Sequence, residues 1–234
     1  MMSKSFFRSN YQTFTVDSGQ VSITPKGSLS SSSNVGFVDK RQYLLKDTGQ
    51  PIDEKYLSNF AAPIPEVGGA SLNELIQKNL VELKVKELCD QITYEGCCDQ
   101  TLYNDNSCGL FSSNEAFCTS TAFGDGVYGL FVDSDQEGFV VDLCSYFLGD
   151  IGLAEPEDLL DMLEWIEKSH VVDEIGTLKV SGALEIGDPV YSDSEERVCL
   201  NVKPGEYKIE ILWPSEDAMR EDRQYIVRAR RVKG

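Results

Sequence analysis

Apolar and polar residues alternate in short runs along most of this chain, and the runs predict strands. Phe14 and Val16, then Val21 and Ile23, flank Ser18-Gly19 and predict two strand pieces joined by a turn or bulge. The Tyr43-Leu44-Leu45 patch predicts a strand over 42–46 within an otherwise irregular stretch, 35–70. Tyr128, Leu130 and Val132 alternate toward Asp133-Ser-Asp-Gln-Glu-Gly138, and Phe139, Val141 and Leu143 alternate away from it, which is a hairpin pattern. Further strands are predicted over 178–186, 198–202, 207–212 and 225–232. Lys26–Asn34, with five serines and a glycine, reads as a flexible connection.

Two segments carry helical signals instead. Ser71-Leu-Asn-Glu74 has the spacing of a capping box, in which each side chain can bond the other's backbone amide. Leu72, Leu75, Ile76, Leu80, Leu83 and Leu88 follow, so the pattern predicts an amphipathic helix over 72–90. Glu155-Pro156-Glu157-Asp158 opens a second helix over 155–168, with proline in the first turn and carboxylates at the positive end of the helix dipole. Its apolar side is Leu159, Leu160, Met162, Leu163 and Ile166; Glu157, Asp158, Asp161, Glu164 and Glu167 lie on the other. Between the helices, 93–122 is rich in Asn, Ser, Thr and Cys and reads as a loop.

One pattern occurs twice. Val16-Asp-Ser-Gly-Gln-Val-Ser-Ile-Thr-Pro25 and Val180-Ser-Gly-Ala-Leu-Glu-Ile-Gly-Asp-Pro189 each place Ser-Gly before two alternating apolar residues and a turn with proline. A second pair follows: Gly124-Asp-Gly-Val-Tyr128 and Pro204-Gly-Glu-Tyr207 both run into a strand. The expected fold is therefore α+β: two related antiparallel β units, an internal repeat, with two main inserted helices. The expected division is 1–150, a first β unit holding helix 72–90 and the cysteine loop 93–122, and 151–234, the acidic helix 155–168 followed by a second β unit over 177–232. Gly19, Gly126, Gly182 and Gly205 are read as turn glycines that supply backbone conformations other residues resist. Asp188 is expected to bond nearby backbone amides and Pro189 to rigidify its turn.

Val16-Asp17-Ser18-Gly19, Gly187-Asp188-Pro189 and Gly124-Asp125-Gly126-Val127-Tyr128 resemble a family of bacterial and phage proteins that combine Val-Asp-Ser-Gly, Asp-Pro and Gly-Asp-Gly-x-Tyr segments. Thr24-Pro25 in the first copy departs from the Asp-Pro of the pattern. The resemblance implies a β-rich fold of bacterial or phage origin, and supplies neither an assigned function nor catalytic residues.

Charge changes the picture most. The net charge is −18, and it is unevenly spread: residues 1–45 carry +3, 46–90 carry −3, 91–174 carry −17 and 175–234 carry −1. In 91–174 a single basic group, Lys168, stands against eighteen acidic ones. Such a field repels nucleic acid and attracts basic proteins or cations, although acidity also keeps a protein soluble. No run of about 18 apolar residues predicts a membrane helix, and the start of the sequence lacks the continuous apolar core of a secretory signal. Seven cysteines without such a signal are expected as reduced thiols in a cytoplasm.

Candidate chemistry is thin. Cys97, Cys98, Cys108 and Cys118, with Cys89 nearby, lack the close pairs typical of structural zinc. Asp133-Ser-Asp135-Gln-Glu137-Gly138 begins like a calcium loop, but Cys144 stands where the closing glutamate belongs. His170, the one histidine, must serve any Ser-His or Cys-His site, and it follows an acidic helix whose C-terminal end suits a protonated imidazole. No phosphate loop, dinucleotide fingerprint or hydrolase elbow is present. No catalytic residue, metal ligand or cofactor is assigned.

The leading reading is a non-catalytic, cytoplasmic acidic protein that engages and inhibits a basic protein partner, as an immunity-type or phage-encoded inhibitor of a nuclease, toxin or defence protein would. The partner-binding residues are Glu157, Asp158, Asp161, Glu164 and Glu167, with no direct contact to nucleic acid or membrane. Two alternatives remain: a metal-assisted enzyme using the 93–128 loop and Asp125, and a structural or assembly protein interacting through its β units.

Overall fold

The computed structural model describes residues 11–30, 39–104, 107–121, 124–132, 137–142, 171–192, 196–213 and 225–232. It is mostly antiparallel sheet. The chain forms two compact units, Gly36–Leu88 and the remainder. The boundary expected at residue 150 lies outside the described residues.

The larger unit has two sheets. Six strands form one: β1 (Tyr11–Val16), β7 (Gly126–Val132), β8 (Gly138–Asp142), β13 (Ile226–Arg231), β12 (Gly205–Trp213) and β9 (Val171–Val180), in that spatial order. Five form the other: β11 (Val198–Asn201), β10 (Ala183–Gly187), β2 (Gln20–Pro25), β6 (Ala116–Ser120) and β5 (Cys108–Phe111). Alternation explains the layers. Phe14, Val16, Val21, Ile23, Tyr128 and Leu130 join Leu178, Val180, Leu184, Ile186, Tyr207 and Ile209 in one buried cluster fed by both sheets.

At the predicted break, Ser18-Gly19, the chain leaves the first sheet and enters the second, β1 to β2; the single strand expected over 178–186 is corrected, because Ser181-Gly182 breaks it in the same way, β9 to β10. Gly19 has φ 68° and Gly182 φ 146°, conformations open to glycine. Exchanging β1 with β9, β7 with β12 and β8 with β13 reproduces the six-stranded order read from its other end. In the second sheet, β2 pairs β10 with Ile23 opposite Ile186. Each is flanked by its own partner, β6 or β11, and β5 extends the sheet beyond β6.

The smaller unit pairs β3 (Arg41–Leu45) with β4 (Val81–Val85) and adds two 3-10 turns and helix α1 (Leu72–Gln77). Tyr43, Ile52, Ile64, Leu72, Leu75 and Val81 make its core. The capping box forms as the sequence predicts: Glu74 N donates to Ser71 Oγ at 3.3 Å and Ser71 N to Glu74 Oε2 at 2.9 Å. The helix expected over 72–90 is corrected, however. It ends at Gln77, Asn79 turns left-handed at φ 56°, and Val81-Glu-Leu-Lys-Val85 continues as β4. Val81, Leu83 and Val85 alternate with charged residues, and pairing with β3 satisfies their backbone in a way a lone helix end cannot. Leu80 and Leu83, counted in a buried stripe, are half exposed.

The loop expected over 93–122 is also corrected. It folds as helix α2 (Tyr94–Leu102) followed by the β5–β6 hairpin. Thr93 caps α2 by accepting from Gly96 N at 3.1 Å. Helical periodicity is hidden there because the buried side consists of Gly96, Cys97, Cys98, Asp99, Gln100 and Thr101 rather than large apolar residues. Helix 155–168 and the Asp133–Gln136 turn lie outside the described residues. No helix among the described residues is long and apolar enough to cross a membrane.

Candidate functional site

Three polar constellations stand out in the larger unit. The first is built on Asp188, which is fully buried. Its Oδ2 accepts from the Asp17 and Ser18 amides at 2.6 and 2.7 Å, and its Oδ1 from Ser18 Oγ at 2.7 Å and the Val190 amide at 2.8 Å. The turn aspartate thus bonds its own turn and also clamps the Val16–Gly19 turn 170 residues away. Beside it Arg197, also buried, donates to Asp188 O at 2.8 Å, Glu185 O at 3.1 Å and Thr24 Oγ1 at 3.3 Å. Burial lowers the Arg197 pKa, and the nearby Cys97, Glu185, Cys118 and Asp188 oppose that effect. A buried arginine bound mainly to carbonyls fastens strands together.

The second constellation lies where α2 covers the five-stranded sheet. Cys97, Phe111, Ala116 and Cys118 pack in one cluster, and Gln20 Nε2 approaches Cys98 Sγ at 3.5 Å. Burial is the largest cause that raises the Cys98 and Cys118 pKa values, Cys118 well above the ordinary thiol range. These thiols are protonated at neutral pH and are poor nucleophiles. Among the described residues, no group of three or more His, Cys, Asp or Glu side chains is placed to hold a metal ion.

The third is a cleft of about 540 Å³ where β5 and β9, each at an edge of its sheet among the described residues, come together. Its walls include Gln100 and Asn104 from α2 and its end, Cys108 from β5, Asn114 from the β5–β6 turn, and Glu174 to Thr177 from β9. Asn104 Nδ2 donates to Gln100 Oε1 at 2.9 Å, and Gly109 lets this amide pair lie against β5 where a side chain would collide with it. Burial, then Asp173, pushes the Cys108 thiol up to about 12, so it is a neutral wall group. A bulge at Ile209/Glu210 in the β12–β9 register alters the course of β9 along the cleft.

No protein-family model matches the chain, no curated protein matches its sequence, and no solved structure matches its fold.

The structure distributes the residues singled out from sequence as follows. Glu157, Asp158, Asp161, Glu164, Glu167 and His170 lie outside the described residues, as do Asp133, Asp135 and Cys144. Cys97, Cys98 and Cys118 come together under α2, Cys108 sits in the main core, Cys89 is half-buried, and Cys199 is exposed on β11. Asp125 is exposed at the start of β7. Gly205 has φ 149°, whereas Gly126 lies within β7 opposite Val16 and has no positive φ. Pro189 follows Asp188 into the turn. Of the C-terminal arginines, Arg228 and Arg230 pair with buried Glu210 at 3.0 and 2.8 Å, and Arg231 reaches Glu137 of the acidic block at 3.9 Å. Sequence reading missed Arg197, Gln20, Gln100, Asn104 and Glu174. Arg197 alone gave a signal, as a cation placed directly before an apolar strand.

Proposed function

We propose that this is a non-catalytic, acidic binding protein that engages and inhibits a basic protein partner through residues 91–174. One observation carries the reading: eighteen of the chain's 39 acidic groups fall in that block with one basic group. Side-chain pairing supports it. Glu115 and Asp125, in the block, are exposed and form no ion pair among the described residues. Arg41 pairs with Asp39, Lys55 with Asp53, Lys86 with Glu54, and Arg228 and Arg230 with Glu210, all carboxylates outside the block, whereas within it Glu137 pairs with Lys203 and Glu174 with Lys208. Unbalanced surface carboxylates steer a basic partner toward the block. Glu157, Asp158, Asp161, Glu164 and Glu167 are its proposed contacts. Buried, protonated thiols favour binding over nucleophilic catalysis in 93–128.

The two halves act as related β units, an internal repeat by which the partner-binding block is framed. The reversible strand order and the matching pairs Val16–Gly126 and Val180–Gly205 support this. Six free cysteines among the described residues support a reducing, cytoplasmic setting.

Affinity capture from a bacterial lysate tests the function, comparing wild type with the combined Asp158→Lys, Asp161→Lys and Glu164→Lys variant. The expected result is a basic protein held by wild type at low salt, released at high salt, and absent from the variant. Capture of the same proteins by both forms, or of none, removes the reading.

A further inference from the structure

The outer edge of β9 is a strand edge with its backbone turned toward the cleft. Glu206 O accepts from Val232 N at 2.7 Å, so Glu206 and Lys208 direct their backbone groups to β13. Their partners across β12–β9, Lys179 and Thr177, therefore turn theirs away from β12. Lys179 N already shows what that edge accepts: it donates to Asn114 O at 2.7 Å, a main-chain bond from outside the sheet. Thr177 N–H and C=O point the same way, into the cleft, and among the described residues no main-chain group pairs with them there. Beyond the bulge Glu174, opposite Glu210, has the same outward sense.

We propose that an extended segment of the basic partner adds to β9 as an extra strand in this cleft, pairing its main chain with Thr177 and Glu174. This rests on the basic-partner reading above and names how the partner docks. The cleft has the features such a strand needs. It runs along four residues of β9, and Gln100, Asn104 and Asn114 add amide groups to its lining. Charge selects the occupant. Glu174, exposed at the cleft, is paired with Lys208 at 2.7 Å, which leaves Asp173, its neighbour on β9, and Glu115, exposed next to Asn114, as two carboxylates against the single cation Lys179. Alternate lysine or arginine side chains on the incoming strand meet these carboxylates, whereas acidic ones meet like charge.

The probe is a short synthetic peptide of alternating lysine and threonine, with a second peptide of the same sequence N-methylated at alternate amides. Binding is read by fluorescence anisotropy on the full chain. The N-methylated peptide keeps its charge and loses main-chain donors, so it is expected to bind about tenfold more weakly or worse. Thr177→Pro removes an outward N–H that β12 does not use, and is expected to weaken the unmethylated peptide similarly, with an unchanged thermal midpoint showing that it folds. Equal binding of both peptides to wild type, or no binding of either, overturns strand addition. The Asp158→Lys, Asp161→Lys, Glu164→Lys variant separates the two readings. Loss there with full binding by Thr177→Pro overturns the β9 site and leaves the acidic-block reading standing. Loss in Thr177→Pro alone supports the β9 site and counts against the 157–167 contacts.

Discussion

Tyr128 and Tyr207 occupy matching places in the six-stranded sheet. Each is fully buried; Tyr128 opposes Phe14 on β1, and Tyr207 opposes Leu178 on β9. Each hydroxyl donates to the carbonyl four residues earlier, Tyr128 to Gly124 O at 2.8 Å and Tyr207 to Lys203 O at 2.7 Å. The ring fills the core while the hydroxyl fixes the turn that feeds the strand. Tyr128→Phe and Tyr207→Phe should therefore destabilise alike, by about 1 kcal/mol each, from loss of one hydrogen bond at constant ring packing. Urea denaturation checks this; a large cost at one site with none at the other contradicts the match.

Asp188 joins the two ends of the sequence more tightly than a turn residue needs to. Asp188→Ala leaves the Asp17 and Ser18 amides without their acceptor and removes a carboxylate beside buried Arg197, so a cost of about 3 kcal/mol is expected. Asp188→Asn keeps one accepting oxygen and should recover part of it. Equal stability of Asp188→Ala and wild type in denaturant melts contradicts the clamp.

Glu210 gives the fold a pH dependence. Burial pushes its carboxyl up, but Arg230 and Arg228 together outweigh that and hold it below the ordinary 4.5. A folded-state value below the unfolded one adds stability that is complete above the unfolded value and lost as pH falls through the folded one. Wild type should therefore lose stability below about pH 4.5 more steeply than Glu210→Gln, although the variant is less stable at pH 7. Parallel curves of melting temperature against pH contradict the assignment.

Thiol labelling separates the cysteines by layer. In a Cys144→Ser background, Ellman's reagent should modify exposed Cys199 under native conditions and reach Cys97, Cys98 and Cys118 only on unfolding. Gly96→Ala should open the helix–sheet layer. A Cβ there overlaps Gln91 O and crowds Phe111, so faster labelling of Cys97 and Cys118 is expected. Native labelling of Cys98 at the rate of Cys199 contradicts the layering.

How much of this the sequence revealed depends on whether a local pattern had a competitor. Phe14, Val16, Tyr128 and Leu130 alternate cleanly, and the β-rich class, the 126–142 hairpin and the Ser71–Glu74 box follow from such patterns. The run from Leu72 to Leu88 satisfies helical spacing and, from Val81, strand spacing as well; pairing with β3 decides between them, and no local rule contains that contact. Helix α2 escaped notice because it buries cysteines and small polar groups. The Asp188–Arg197 cluster and the β9 cleft are products of long-range pairing, formed by residues that look like ordinary turn and surface positions until the sheets are assembled.

The most direct test of the account is the dissociation constant of the captured basic partner, measured for wild type and the Asp158→Lys, Asp161→Lys, Glu164→Lys variant across a series of salt concentrations. The account predicts affinity that falls steeply with salt for wild type, and weak, nearly salt-independent binding for the variant. Equal affinities with the same salt dependence would contradict it.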